Sequence, residues 1–189
     1  MTAAADALAR TGIRPNTITA LSLLPCLLAG ICAALGWFIA AALLLLFGGV
    51  FDLLDGALAR RTGQTSTFGA LLDSTIDRLS DAAVPSGLAL FYAPFGLPAL
   101  APILLISAGF TVSYVRARAE GLSLELPRLW MRREDRLIAM VVALLLEAVP
   151  IAGIGAPHPV TLLIVALLMV LSFAAAVAAL AAAARLTRG

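Results

Sequence analysis

Five of the eleven acidic residues in this 189-residue chain, Asp52, Asp55, Asp73, Asp77 and Asp81, fall in one window, VFDLLDGALARRTGQTSTFGALLDSTIDRLSD, at positions 50–81. Asp52 and Asp55 are three apart and Asp73 and Asp77 four apart, so on helices each pair shares one face. Brought to a common point, these four carboxylates repel one another unless a cation is held between them. A donor set of oxygens without His or Cys suits Mg²⁺ or Mn²⁺ better than zinc. One or two such ions are the chemistry this spacing predicts.

The setting is unusual for so much charge. The chain is 62% hydrophobic and 13% charged, with a mean hydropathy of +1.04, whereas charged residues make up about a quarter of soluble domains. This composition predicts an integral membrane protein. Crossing hydrocarbon takes roughly 20 apolar residues per helix, and six segments qualify, near 17–35, 37–59, 68–92, 99–119, 136–154 and 160–184. Gly36, the Gly63 region, Pro94 to Pro98, Pro127 and the GAPHP stretch at 155–159 separate them. Backbone groups in lipid must bond within their own segment, so the expected fold is all-α: one domain, 1–189, of six transmembrane helices. Residues 1–14 lack the features of a cleaved signal and read either as a segment lying flat on the inner leaflet or as a frayed terminus.

All basic side chains are arginines, and with six spans they fall on one side: Arg10 and Arg14, then Arg60, Arg61 and Arg78, then Arg116 to Arg136, then Arg185 and Arg188. The positive-inside rule makes that side cytoplasmic, with both termini inside. A one-sided basic face suits anionic lipid headgroups or phosphate-bearing substrates at the cell (plasma) membrane, and no nucleic acid partner is expected. Asp52 and Asp55 then lie near the cytoplasmic end of span two, and Asp73 and Asp77 near the start of span three. If these spans are antiparallel neighbours joined by RTGQTSTF, the four carboxylates meet at one depth. Gly56 and Ala59 form a small stripe beside Asp52 and Asp55, read either as close helix packing or as a place where a nucleotide approaches the backbone. Arg60 is placed to hold a phosphate, and is equally expected there from topology. A rival reading is a small ion transporter, which predicts charges near the bilayer midplane and an inverted repeat; neither is evident.

Asp52, Asp55, Gly56, Ala59, Arg60, Gly69, Asp73 and Asp77 spell D-x2-D-G-x2-A-R-x8-G-x3-D-x3-D, which resembles the signature of the CDP-alcohol phosphotransferases at every fixed position. The resemblance implies an enzyme that moves the phosphatidyl group of a CDP-linked lipid, CDP-diacylglycerol, onto an alcohol and releases CMP. Carried over by motif, Asp52, Asp55, Asp73 and Asp77 hold two Mg²⁺ (or Mn²⁺) ions, Asp77 acting also as general base. Gly56, Ala59, Arg60, Ser66 and Gly69 border the nucleotide. PNTIT, with Asn16 and Thr19, is similar to the family's opening before span one, and reads either as a cap over the nucleotide or as a plain helix start with Asn16 as its cap.

For the acceptor, SYVRARAE at 113–120 is similar to the SYxKARAE of actinobacterial phosphatidylinositol-phosphate synthases and related archaeal enzymes, and RREDRL at 132–137 to their ERPERL. Ser113, Arg116, Arg118, Arg133 and Arg136 are thereby expected to form a pocket for an alcohol that carries a phosphate, with inositol phosphate first. Glycerol 3-phosphate, serine and free inositol are the alternatives. Two departures stand out: Arg116 replaces the branch's lysine, and AAAVAALAAAAR at 174–185 replaces its Gln-Arg pair. His158 reads as a solvated turn residue, Trp37 and Trp130 as interfacial aromatics, and Cys26 and Cys32 as small hydrophobes. The resemblance also implies a homodimer, with the alanine-rich sixth span as a candidate interface.

Overall fold

A computed structural model of the chain describes residues 13–63, 66–127, 130–147 and 158–187; the side chains of Leu53, Ala59, Arg60 and Arg61 lie outside this description, as do residues 1–12 of the expected interfacial segment. The described residues form six helices: α1 (Pro15–Ala34), α2 (Phe38–Thr62), α3 (Thr67–Tyr92), α4 (Leu100–Gly121), α5 (Arg133–Leu146) and α6 (Pro159–Leu186), with two single 3-10 turns between α3 and α4. Each falls on one of the six apolar segments. Four stretches, Pro15–Ala34, Phe38–Leu58, Leu97–Gly121 and Pro159–Leu186, are long and apolar enough to cross a membrane. Helix α3 misses that standard because its first half carries the acidic face. The exterior is apolar: Leu21, Leu24, Leu43, Leu90, Leu163 and Val177 are all exposed, as expected where the surrounding medium is lipid.

The sequence reading paired α2 with α3, yet the extensive contacts of both are with α1, which packs along each of them. The reason lies in small residues. A Cβ on Gly87 of α3 would stand 2.0 Å from the Gly30 carbonyl oxygen of α1, and one on Gly30 would stand 2.5 Å from the Ala83 carbonyl oxygen. Only glycine lets two helix backbones approach this closely. Helix α1 is therefore the spine on which α2 and α3 are laid. Gly36, at φ +77°, makes the tight turn that reverses the chain from α1 into α2. On the other side α4 packs against α6, where Ala175, Ala176 and Ala179 are buried within the chain itself beside Val112.

The end opposite the aspartates is closed by a polar clasp. Glu147, just after α5, accepts from the Thr161 backbone N–H at 2.7 Å, and its other oxygen stands 3.1 Å from His158 Nδ1. The Tyr92 hydroxyl donates to the His158 carbonyl at 2.9 Å, and the imidazole lies edge-on between Phe38 and Phe91. His158 is a turn residue as expected, left-handed at φ 53° and with a side chain 40% exposed, yet these contacts also tie it into the structure. Nothing in its sequence neighbourhood marks the aromatic rings that meet it, since they come from α2 and α3. A carboxylate at the start of α6 also satisfies orphan helix donors.

Gly87→Ala should lower thermal stability in detergent by the amount typical of overpacking, about 1–3 kcal/mol or more. Gly121→Ala, where an added Cβ meets nothing within 4 Å, should leave it unchanged. Heating followed by fluorescence-detected size exclusion reads both, and equal melting of the two variants would contradict the backbone crossing.

Candidate functional site

The aspartate end is built from the C-terminal turns of α2, the N-terminal turns of α3 and α5, and the C-terminal half of α4. Ser66 starts α3: its Oγ accepts from the Gly69 N–H at 2.9 Å. A Cβ on Gly69 would come within 3.1 Å of Asn16 Oδ1, so glycine at 69 lets the start of α1 rest against the start of α3. Asn16 is the second residue of α1, with Arg14 in the cap position and Pro15 opening the helix; it is not the cap that the plain helix-start reading required. Thr19 is buried and its hydroxyl donates to the Pro15 carbonyl at 3.2 Å. Asn16, Ser66 and Gly69 are thus brought together, while Gly56 follows Asp55 on α2. The side chains of Ala59 and Arg60 are among those outside the description.

Asp52, Asp55 and Asp73 each turn one carboxylate oxygen to a common point, the three atoms lying within 4.8 Å of one another. Asp55 is 4% exposed, far from the usual state of a carboxylate. Asp77 stands one turn along α3 and joins the trio through an arginine from α5. Arg133 Nη1 lies 2.5 Å from Asp52 Oδ2 and 3.0 Å from Asp77 Oδ1. The four aspartates therefore converge as three plus one, with a guanidinium at the junction.

Three oxygens in this group, Asp52 Oδ1, Asp55 Oδ2 and Asp77 Oδ1, are buried without a well-formed hydrogen bond, Asp77 Oδ1 having only its ion-pair contact with Arg133 at 3.0 Å. Buried acceptors are ordinarily satisfied, and those that are not call for a reason. A hard divalent cation supplies one, because it takes several oxygens at once and tolerates carboxylates in close contact. The donor set thus fits such an ion on its own chemistry.

Beside the aspartates lies a cavity of about 210 Å³ between α3, α4 and α5. Ser113 and Arg116 from α4 and Arg133 and Arg136 from α5 line it, as expected; Arg118 is exposed and does not. Arg78, Arg132 and Asp81 line it too, and the sequence reading gave none of them a role there. Cations outnumber anions on its wall, so it attracts anions. Two arginines in the first turn of a helix oppose its dipole. Glu134 and Asp135 offset them in the same turn, Asp135 Oδ2 accepting from the Arg132 N–H at 2.9 Å. Asp81 offsets them from across the gap: its Oδ1 accepts from Arg133 Nε at 3.1 Å and its Oδ2 from Arg136 Nη2 at 2.6 Å. Arg136 also donates to the Met131 carbonyl at 2.9 Å and is nearly buried. The signal for Asp81 was present in the sequence, since 73, 77 and 81 continue one helix face at intervals of four.

A family model described as CDP-alcohol phosphatidyltransferase matches residues 13–187. The chain is 39% identical over 159 residues to the phosphatidylinositol phosphate synthase of Cutibacterium acnes, covering 82% of this chain and 76% of that protein. It is 42% identical over 146 residues to the archaetidylinositol phosphate synthase of Pyrococcus horikoshii, covering 76% of each. Among solved structures, the Mycobacterium tuberculosis phosphatidylinositol phosphate synthase with CDP-DAG bound superimposes with a TM-score of 0.85 at 30% identity, over 96% of this chain and 92% of that one. The same enzyme in complex with manganese and citrate gives 0.85 over 96% and 88%.

Asp55→Asn should weaken Mn²⁺ binding by at least about tenfold, the scale at which a ligand substitution acts. Glu125→Gln, at an exposed carboxylate of the loop after α4, should not change it. Electron paramagnetic resonance of free Mn²⁺ measures both, and wild-type affinity in Asp55→Asn would remove this carboxylate from the ion site.

Proposed function

The chain belongs to the CDP-alcohol phosphatidyltransferase family, and on that premise we propose that it transfers the phosphatidyl group of CDP-diacylglycerol to a hydroxyl of inositol phosphate and releases CMP. The observation that carries this reading is the basic cavity opening directly onto the aspartate cluster, with Arg133 in the wall of both. An acceptor with its own phosphate is suited to that cavity, whose wall carries Arg78, Arg116, Arg132, Arg133 and Arg136. Free inositol or serine brings no anion to match the excess of arginines on that wall. Its similarity to phosphatidylinositol phosphate and archaetidylinositol phosphate synthases points to the same acceptor class.

Asp52, Asp55 and Asp73 would hold the divalent ions, two per site and Mg²⁺ or Mn²⁺, with Asp77 completing the set. When bound, the ions would supply positive charge that offsets the pyrophosphate and the charge developing on the CMP leaving group. Asn16, Thr19, Ser66 and Gly69, at the paired starts of α1 and α3, and Gly56, Ala59 and Arg60, at the end of α2, would border the nucleotide. Arg133 and Arg136, with Ser113 and Arg116, would bind the acceptor's phosphate and orient its hydroxyl toward the diacylglycerol-bearing phosphorus, while Arg118, outside the cavity wall, takes no part. Asp77, within the cavity wall, would accept the hydroxyl proton as the new P–O bond forms and the bond to CMP breaks.

The same reading takes the chain as one domain of six spans in the plasma membrane, with the site on the cytoplasmic side where CDP-lipid and a charged acceptor are both available. The clustering of arginines at the aspartate end supports it. A homodimer is proposed with it, through a face other than the Ala175, Ala176 and Ala179 stripe, which is taken up by intrachain packing.

Purified protein given CDP-diacylglycerol, Mg²⁺ and inositol 3-phosphate should release CMP faster than with inositol, glycerol 3-phosphate or serine. No CMP above background with any acceptor would refute the transferase reading; CMP with free inositol but not its phosphate would refute the anion cavity. Asp77→Asn should cut turnover by about 10²–10⁴, the usual worth of a general base, with CDP-lipid affinity nearly unchanged. Arg136→Gln should raise the KM for a phosphorylated acceptor by roughly tenfold or more while sparing the KM for the CDP-lipid.

A further inference from the structure

Asp81 lies outside the eight-position motif, and no step of the chemistry above uses it. Its geometry is nevertheless the most constrained at this end of the molecule. Each of its oxygens takes a different arginine, Nε of Arg133 at 3.1 Å and Nη2 of Arg136 at 2.6 Å, so one carboxylate holds the two cations side by side. Arg133 is also pulled the other way, because its Nη1 sits between Asp52 and Asp77. The guanidinium is thus shared between the carboxylates expected to hold metal and the carboxylate at the base of the acceptor cavity.

The competition has a definite sign. A guanidinium resting on Asp52 and Asp77 occupies oxygens that a divalent cation needs, and like charges at this separation oppose each other. Without Asp81, Arg133 loses the anchor its Nε has in the cavity wall, and Asp52 and Asp77, which its Nη1 already touches, would draw it fully onto the cluster. With Asp81 present, part of its hydrogen-bonding capacity is anchored in the cavity wall.

We propose that Asp81 is a positioning residue that holds Arg133 and Arg136 as a pair on the acceptor side, so that a divalent cation displaces Arg133 from Asp52 and Asp77 and loading of metal readies the cavity for an anion. This rests on the metal and acceptor reading given above. It also makes the two half-sites energetically coupled, each biasing where one side chain spends its bonds.

The test uses full-length protein in nanodiscs and Mn²⁺ titrated without substrates, followed by electron paramagnetic resonance. Asp81→Asn should weaken Mn²⁺ binding about tenfold, the change that goes with redistributing one close charge-assisted contact. The pair Asp81→Asn/Arg133→Gln should bind Mn²⁺ like Arg133→Gln alone, at least as tightly as the wild type, because the competitor is gone. A purely architectural Asp81 would leave the double variant as weak as the single one, and that result, or wild-type affinity in Asp81→Asn, overturns the proposal. Should Asp81→Asn fail to fold, Arg133→Gln decides alone: weaker Mn²⁺ binding than the wild type overturns it. In turnover, Asp81→Asn should raise the KM for the phosphorylated acceptor and not that for CDP-diacylglycerol; an equal rise in both counts against it. If no acceptor is turned over at all, the functional reading fails while the Mn²⁺ series still stands or falls on its own.

Discussion

Carboxylates cannot be gathered away from bulk water unless each acquires a donor or a cation, and most of this molecule's architecture answers that constraint. Asp52, Asp55 and Asp73 meet within one ion's reach, and Asp77 and Asp81 extend the negative face along α3. The compensation comes from a separate helix. Helix α5 enters with Arg133 and Arg136 in its first turns and is kept there by five hydrogen-bonded or ion-paired contacts of those two side chains to Asp52, Asp77, Asp81 and the Met131 carbonyl. The cost of opposing the helix dipole is offset locally by Glu134 and Asp135. The acidic window and the RREDRL segment, about fifty positions later in sequence, are two halves of one electrostatic unit.

Precision at that unit depends on apolar packing further down the helices. Helix α1 carries no catalytic group, yet it fixes the relative height of α2 and α3 through the Gly30 and Gly87 crossing and meets α3 again where Asn16 faces Gly69. A shift of one residue in that register would turn Asp52 or Asp73 away from the common point. Stability and site geometry are therefore set by the same contacts.

Much of this was legible from the sequence because the signals are local. Apolar length placed five of the six helices to within about three residues, the end of the fifth expected span lying outside the described residues, and the i, i+3 and i, i+4 spacings put each aspartate pair on one face. The convergence of Ser113, Arg116, Arg133 and Arg136 on one cavity followed from matched text more than from physics, since arginines at a cytoplasmic helix end need no pocket. What escaped the reading is non-local. That α1 lies along both α2 and α3 depends on which glycines face each other, and that Asp77 meets the trio through a guanidinium depends on α5. His158 looked like no more than a turn residue because Phe38, Phe91, Tyr92 and Glu147 come from other segments. Asp81 alone left a local trace, in its spacing from Asp77.

The clasp joining Glu147, His158, Thr161 and Tyr92 bears on motion as well as stability. It pins α5 at one end, 14 residues from Arg133, which at 1.5 Å per residue is a lever of about 21 Å. A rocking of about 5° around that fulcrum would carry the Arg133 guanidinium by roughly 2 Å, enough to trade one ion-pair partner for another. Contacts at the far end of the bundle thus set the height and tilt from which the arginines of α5 reach the aspartates.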